Sequence, residues 1–187
     1  MANRNTQGFG LVPAGTLGST PATSGTGKYK IDAGSTTTIY HGAAVASNAG
    51  YIIDGQTTDA PILGVLNGIF YNAATTLKPT FANFYKQPIT PANSEDIDAF
   101  VFDNPQQQYV VATDAAVAQS GYLETYDMNT SAGSDTTGKS SATLDIGDTS
   151  ADAASFRLLR SAEDPENDEN AAFRSVVVCL NLIELQS

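Results

Sequence analysis

The chain has 187 residues, which fits one domain with an appended arm, and its apolar fraction of 41% is sufficient for a hydrophobic core. Its formal net charge is −11, and residues 1–90 hold five basic residues against three acids, whereas residues 91–187 hold four against seventeen. Binding of a phosphate backbone requires Lys and Arg in place of counterions, so we expect no nucleic-acid partner. Two interpretations of the acidic half stay open: a solvated face for solubility, or an outward surface above a less charged docking surface.

The first residues are polar, without an apolar segment long enough for a signal peptide, and no stretch approaches the length of a membrane span. We therefore expect a soluble protein that is synthesised in a cytoplasm and has no membrane partner. Cys179 is the one cysteine, so an internal disulfide is excluded. Its place in the apolar run 176–182 predicts a small buried side chain rather than a nucleophile.

Residues 1–27 differ from the rest of the chain. Isolated apolar residues are mixed there with Gly, Pro and Ser, with a period of neither 2 nor 3.6, so we expect neither a helix nor a well-paired strand. The segment is either a disordered tail or an extended arm that becomes ordered only across a partner subunit. We favour the arm, and its candidate partner-binding residues are Phe9, Leu11, Val12, Pro13 and Leu17.

From Lys28 onward, short alternating segments are separated by turns rich in Gly, Asn, Asp and Thr, which is typical of β-strands. The apolar run 61–71 is predicted to be the central buried strand, since Gly64 and Gly68 would each cost a helix about 1 kcal/mol. We expect these two glycines to relieve packing or bend the strand. The run 175–185 predicts a closing strand that is buried along much of its length.

These patterns predict an all-β fold, a β-sandwich or β-barrel (β-tulip-like) domain with an extended N-terminal arm. The arm spans residues 1–27 and the β-rich domain residues 28–187, of which residues 113–187 are a candidate elaboration.

The segment 133–140 fits the phosphate-loop pattern G-x-x-x-x-G-K-[ST], in which backbone N–H groups wrap phosphates and a following helix adds its positive end. The residues after it are β-prone and broken by Gly147, so the helix that the pattern requires is not expected. We interpret the segment as a polar loop and expect no cofactor.

The acidic run 163–170 offers clustered oxygen ligands of the kind that calcium prefers. However, Glu169 stands where a helix–loop–helix calcium loop needs glycine, so we interpret the run as a solvated loop and assign no metal site. His41, the one histidine, has no Gly-x-Ser-x-Gly turn elsewhere in the chain to accompany it, and we expect it to be a structural or a surface residue. No set of residues forms a catalytic constellation, so we assign no catalytic residues and expect no enzyme.

Four segments carry a resemblance to known proteins: 42–45, 59–66 with its Ile-Leu-Gly-Val strand, 99–105, and the closing strand 176–178 with Asn181. In their style and order they resemble the head decoration (cement) proteins of tailed bacteriophages, in which a flexible Gly/Thr-rich arm precedes a β domain. No single motif is diagnostic, and the chain is longer than the smallest of these proteins.

The resemblance implies a virion structural protein that binds the outside of a phage capsid and stabilises the joints between major capsid protein subunits. It further implies a homo-oligomer, with a trimer favoured, located on the capsid surface after synthesis in the host cytoplasm. Two alternatives stay open: a structural protein associated with the phage tail, neck or fibre, and a glycan-binding adhesin module.

Overall fold

The structure is a computed structural model that describes residues 5–18, 25–55, 61–129, 133–147, 154–163, 165–168, 170–181 and 184. Its strands are β1 (Val12–Thr16), β2 (Gly27–Ile31), β3 (Ala44–Asn48), β4 (Tyr51–Asp54), β5 (Gly64–Asn72), β6 (Pro79–Ala82), β7 (Ile97–Phe102), β8 (Gln107–Ala112), β9 (Thr125–Tyr126), β10 (Met128–Asn129), β11 (Thr143–Leu144), β12 (Phe156–Ser161) and β13 (Ser175–Leu180). Two 3-10 turns span Ala92–Ser94 and Gln119–Gly121. None of the described helical segments is long and apolar enough to cross a membrane.

The strands form two antiparallel sheets and one small ribbon. The five-stranded sheet has the order β1-β8-β13-β12-β9, the six-stranded sheet has the order β2-β7-β5-β3-β4 with β6 also on β5, and β10 pairs with β11. The two large sheets pack in a sandwich-like arrangement, and the described strands close no barrel. The predicted all-β class is therefore confirmed, and of the two predicted architectures the sandwich is the one that forms.

The first core lies between the two sheets. Tyr109 and Phe156 of the five-stranded sheet, both fully buried, share a cluster with Val65 of β5 and Ala44 of β3. The hydroxyl of Tyr109 also donates to the carbonyl oxygen of Phe102 on β7, at 3.0 Å, and so joins the sheets through the core. Side chains alternate between the two faces of a strand, so Leu66, which follows Val65 in β5, points away from the first core.

The second core fills the opposite side of the six-stranded sheet. Leu66 and Ile69 of β5 lie in it, together with Ile39 and Tyr85, which are fully buried and exchange backbone hydrogen bonds of 2.9 Å. The sheet curls around this core until its two edge strands, β2 and β4, contact each other. β5 therefore separates two cores, which confirms the prediction that residues 61–71 contain the central strand.

The two glycines of β5 are required by packing. A Cβ at Gly64 would collide with the carbonyl oxygen of Phe102, and one at Gly68 would lie 2.7 Å from Cζ of Phe81 and 2.9 Å from the oxygen of Ala82. The register with β7 also shifts between Leu66 and Gly68, which marks a bulge. Both expected roles, close packing and a local irregularity of the strand, are confirmed.

The N-terminal segment forms part of the sandwich, so the expectation that it does not pair as a strand is wrong for residues 12–16. β1 pairs antiparallel with β8, from Val12 opposite Val110 to Thr16 opposite Gln107, with a register shift between Pro13 and Gly15. This shift interrupts the local period, which explains why the sequence pattern missed the strand.

Residues 113–187 supply β9 to β13, and β13 lies between β8 and β12 in the interior of the five-stranded sheet. The described part of this region is therefore built into the sandwich. Its status as an elaboration of a smaller fold stays a prediction.

Substitution of Gly64 or Gly68 by Ala is expected to lower the free energy of unfolding by about 1–3 kcal/mol, because the added methyl group overpacks a dense site. For a chain of this size, that corresponds to a fall in melting temperature of roughly 2–12 °C. Gly25→Ala is the matched control, since nothing lies within 4 Å of a Cβ built there. Equal melting temperatures of all three variants and the wild type, measured by calorimetry, would contradict the packing argument.

Candidate interaction surface

The five residues expected to bind a partner differ in how exposed they are in the structure. Leu11 is only 1% exposed and belongs to the first core, so it is not available to a partner while the segment is seated on its own domain, and its role in partner binding stays a prediction. Phe9 and Pro13 are half-buried. Val12 and Leu17 are 47% and 42% exposed and stay candidates.

The phosphate-loop pattern at 133–140 folds as a closed turn. The N–H groups of Ser134, Gly138 and Ser140 donate to the backbone oxygens of Lys139, Ser134 and His41, at 2.7–2.9 Å. Because these N–H groups are already bonded, they cannot wrap a phosphate. No helix follows the loop, since the next element is the two-residue strand β11. The interpretation as a polar loop is confirmed.

This loop is anchored on a neighbouring segment by its side chains. Asp135 accepts a hydrogen bond from the Tyr40 hydroxyl at 2.7 Å and pairs with Nζ of Lys86 at 3.0 Å. These two contacts, with the Tyr40 bond as the larger effect, hold the pKa of Asp135 below its usual range. The ring of Tyr40 stacks on Phe84 with centroids 5.7 Å apart. Lys139 and its neighbours thus belong to a structural contact between loops.

The acidic run is organised by Asn167, one of its uncharged residues. The Asn167 amide donates to the carbonyl oxygen of Ser175 at 2.8 Å, and its side-chain oxygen accepts the N–H of Ser175 at 2.9 Å. This exchange ties the loop to the start of β13. Among the described residues, no group of three or more His, Cys, Asp or Glu is placed to hold a metal ion; Asp164 and Glu169 of the run lie outside the described residues.

His41 and Cys179 both have structural surroundings. Nδ1 of His41 lies 2.8 Å from the carbonyl oxygen of Asn67, and its backbone pairs with Lys139. Cys179 is buried, and this burial raises the pKa of its thiol, which disfavours the nucleophilic thiolate. The expected structural His and buried Cys are confirmed.

A group of aromatic side chains lies on the side of the six-stranded sheet that is turned away from the second core, the side on which Phe102 packs against the first core. Ile69, Ala99 and Val101 point into the second core, so the alternate residues Phe70 and Phe100, both half-buried, point away from it. Phe81 on β6 pairs directly with Phe70 and is 62% exposed. We call Phe70, Phe81 and Phe100 the aromatic face.

The aromatic face is rigid because of how it is built. The ring of Phe81 covers the bare backbone of Gly68 and lies 6.1 Å, centroid to centroid, from Phe100. Four consecutive register pairs hold β6 on β5. A cross-strand aromatic over a glycine is a known way to stabilise such a pair of strands.

The loop of the β5–β6 hairpin presents a further apolar side chain. Leu77 is 71% exposed, and its backbone has a φ of 54°, a left-handed conformation that costs an L-residue roughly 1–2 kcal/mol. Its N–H donates to the carbonyl oxygen of Ala73 at 2.8 Å, which fixes the turn. Leu123, at the edge of the other sheet, has the same combination, with a φ of 68° and 63% exposure.

Charged side chains border the aromatic face. Lys28 and Lys30 on β2 are the cross-strand partners of Phe100 and Asp98, and their ammonium groups lie 2.7 Å and 2.6 Å from the Asp98 carboxylate. Burial, the largest single influence, acts to raise the pKa of Asp98, but the hydrogen bonds and charges of the two lysines outweigh it and hold that pKa below 3.8.

A cleft of about 250 Å³ adjoins this border. Its lining includes Phe70 and Asn72 of β5 and the charged residues Lys30, Glu95, Asp96 and Asp98. Asp96 is held by the Tyr51 hydroxyl at 3.2 Å. The cleft offers both signs of charge beside an aromatic ring, which is suited to a polar side chain of a protein partner.

The sequence pattern missed the aromatic face and one buried cation. Phe100 lies between two core residues in an unbroken apolar run, so alternation alone could not separate the outward position from the inward ones. Arg174 is 2% exposed, with its guanidinium 5.7 Å from the centroid of the Tyr122 ring. Nothing local in the sequence distinguishes it from a surface arginine.

No protein family, no curated protein and no solved structure matches this chain.

The ion pairs of Asp98 are expected to make stability depend on pH. Because the folded pKa is depressed, Asp98 contributes stability above about pH 3.8, and this contribution is lost as pH falls through the folded pKa. Asp98→Asn should lower the melting temperature at pH 7 by roughly 2–4 °C, for about 1 kcal/mol. The deficit should shrink as both proteins are acidified to pH 2.5.

Glu163→Gln, in the exposed part of the acidic run, serves as the control and should follow the wild-type profile. A deficit of Asp98→Asn that stays constant from pH 7 to pH 2.5 would show that the ion pairs are not its cause.

Proposed function

We propose that this chain is a non-catalytic structural protein of a phage virion, which binds the outside of the capsid and stabilises the joints between major capsid protein subunits. The observation that carries the proposal is the aromatic face with Leu77: a braced apolar surface on which Phe81 and Leu77 are 62% and 71% exposed and Phe70 and Phe100 are half-buried. The loop pattern, His41 and Cys179, by contrast, all serve the protein's own structure.

The physical basis of binding is the burial of these side chains. A phenylalanine or leucine that moves from water into an interface gains about 1.5–3 kcal/mol. Because β6 is already paired and the Leu77 turn is already fixed, little conformational entropy is lost on binding. Exposed apolar groups on a rigid element are therefore an efficient docking surface.

The border of the face indicates the chemistry of the partner. Lys28 and Lys30 are half-exposed, and Lys78 lies exposed beside Leu77. An apolar surface with carboxylates at its rim would complement this arrangement. That the partner is the major capsid protein, and that the protein is a homo-oligomer with a trimer favoured, follows from the resemblance to decoration proteins and is part of the proposal.

The distribution of acidic residues along the chain also supports docking through the aromatic face. The acidic run connects β12 to β13 in the five-stranded sheet, whereas the aromatic face belongs to the six-stranded sheet. With docking through the aromatic face, the acidic loop is free to face solvent on the virion, where like charges keep particles apart.

The test is cosedimentation of purified protein with capsids that lack it. Phe81→Ser should weaken binding about tenfold or more, from the loss of one buried aromatic side chain, and Leu77→Ser should weaken it less. Leu123→Ser is the matched control, since Leu123 is 63% exposed against 62% for Phe81 and lies on the other sheet. Melting temperatures verify that each variant is folded. Wild-type binding by a folded Phe81→Ser protein would exclude the aromatic face as the docking surface.

A further inference from the structure

We propose that the N-terminal segment 5–16 is exchanged between copies of this chain, so that the segment of one copy fills the groove of the next. By the groove we mean the space along β8 and into the first core that this segment occupies on its own domain. This inference does not rest on capsid binding, and its test needs no capsid.

The groove is specific for this segment. Leu11 enters the first core, while its N–H donates to the carbonyl oxygen of Gly42 at 2.8 Å and the N–H of Gly10 donates to that of Ala142 at 3.2 Å. A Cβ at Gly10 would lie 2.8 Å from Cβ of Ser140, and one at Gly8 would lie 2.7 Å from Cγ2 of Thr143. Only a chain with glycine at these two positions fits the slot.

The residues that hold the segment all come from later parts of the chain. The side-chain amide of Asn5 donates to Ser175 Oγ at 3.1 Å, β1 pairs with β8, and the amide of Gln107 donates to the carbonyl oxygen of Gly15 at 2.8 Å. A second copy presents the same partners in the same geometry. The exchanged segment therefore makes the same contacts as the segment seated on its own domain.

The position of β1 makes its departure possible without damage to a sheet interior. β1 is the edge strand of the five-stranded sheet, and the next strand, β2, is an edge strand of the other sheet. Residues 17–26 connect them and are mostly Gly, Ser and Thr. Gly18 has a φ of 91°, and nothing lies within 4 Å of a Cβ built there or at Gly25.

The length of this connection sets the protein concentration at which exchange between copies competes with seating of the segment on its own domain. A Gly/Ser-rich linker of ten residues has a root-mean-square span of roughly 17 Å, which corresponds to an effective concentration in the millimolar range. Since the contacts are equal in both forms, the segment stays on its own domain at micromolar protein and exchanges as the protein approaches millimolar concentration. Copies held side by side in an assembly reach the same regime.

Disulfide trapping tests the exchange. In a Cys179→Ser background, Val12→Cys and Val110→Cys are made in separate, differently tagged chains, because these residues face each other across β1 and β8. The two proteins are unfolded, mixed, refolded together at 0.05–1 mM and oxidised. We expect a disulfide-linked heterodimer whose yield rises several-fold over this range.

Two controls make the result decisive. A single chain with both cysteines should form the internal disulfide, which verifies the geometry, and a mixture of Val12→Cys with Leu123→Cys measures random collision. Exchange is overturned if the doubly substituted chain closes its disulfide while the Val12–Val110 mixture gives no more heterodimer at 1 mM than the collision control.

Discussion

The position of β5 between two cores is the constraint on which the rest of the structure depends. Val65 packs against the five-stranded sheet, while Leu66 and Ile69 pack inside the curl of the six-stranded sheet. Neither sheet could be moved without opening one of these cores. β7 and β6 are positioned by their pairing with β5, and the aromatic face is carried on these three strands. The exposed surface is thus fixed by a strand that is largely buried.

Close approach of backbones at the glycines of β5 links the core to the surface. Gly68 leaves room for the ring of Phe81, and Phe81 in turn lies against Phe100. A larger residue at position 68 would displace the ring and change the shape of the aromatic face. Packing inside the sheet and the proposed docking outside it therefore depend on the same position.

Features encoded by neighbouring residues could be predicted from the sequence, and those encoded by distant pairing could not. The run at 61–71 is apolar on both faces and carries two glycines, which was enough to identify the central strand. By contrast, Leu11 finds its place only through Gly42, Ala142 and β8, and the shift between Pro13 and Gly15 breaks the alternation that would have marked β1. The loop at 133–140 matched a phosphate-binding pattern locally, but the fold pairs it with His41.

The aromatic face could not be predicted from the sequence for a similar reason. Phe100 and Val101 are both apolar, and only the register with β2 and β5 decides which of them points away from the second core. The exposure of Leu77 depends on a left-handed backbone conformation. Glycine or asparagine would have indicated such a turn, but neither stands at that position. The resemblance to decoration proteins supplied the function to be tested, and the structure supplied the residues with which to test it.

Native-state hydrogen exchange tests the two-core account most directly. If β5 couples both cores, the amides of Leu66 in β5, of Val178 in β13 and of Tyr85 in the second core exchange only through global unfolding, with one common free energy. An exchange free energy of the second core well below that of β13 would show that the sheets unfold independently, and it would contradict the central role of β5.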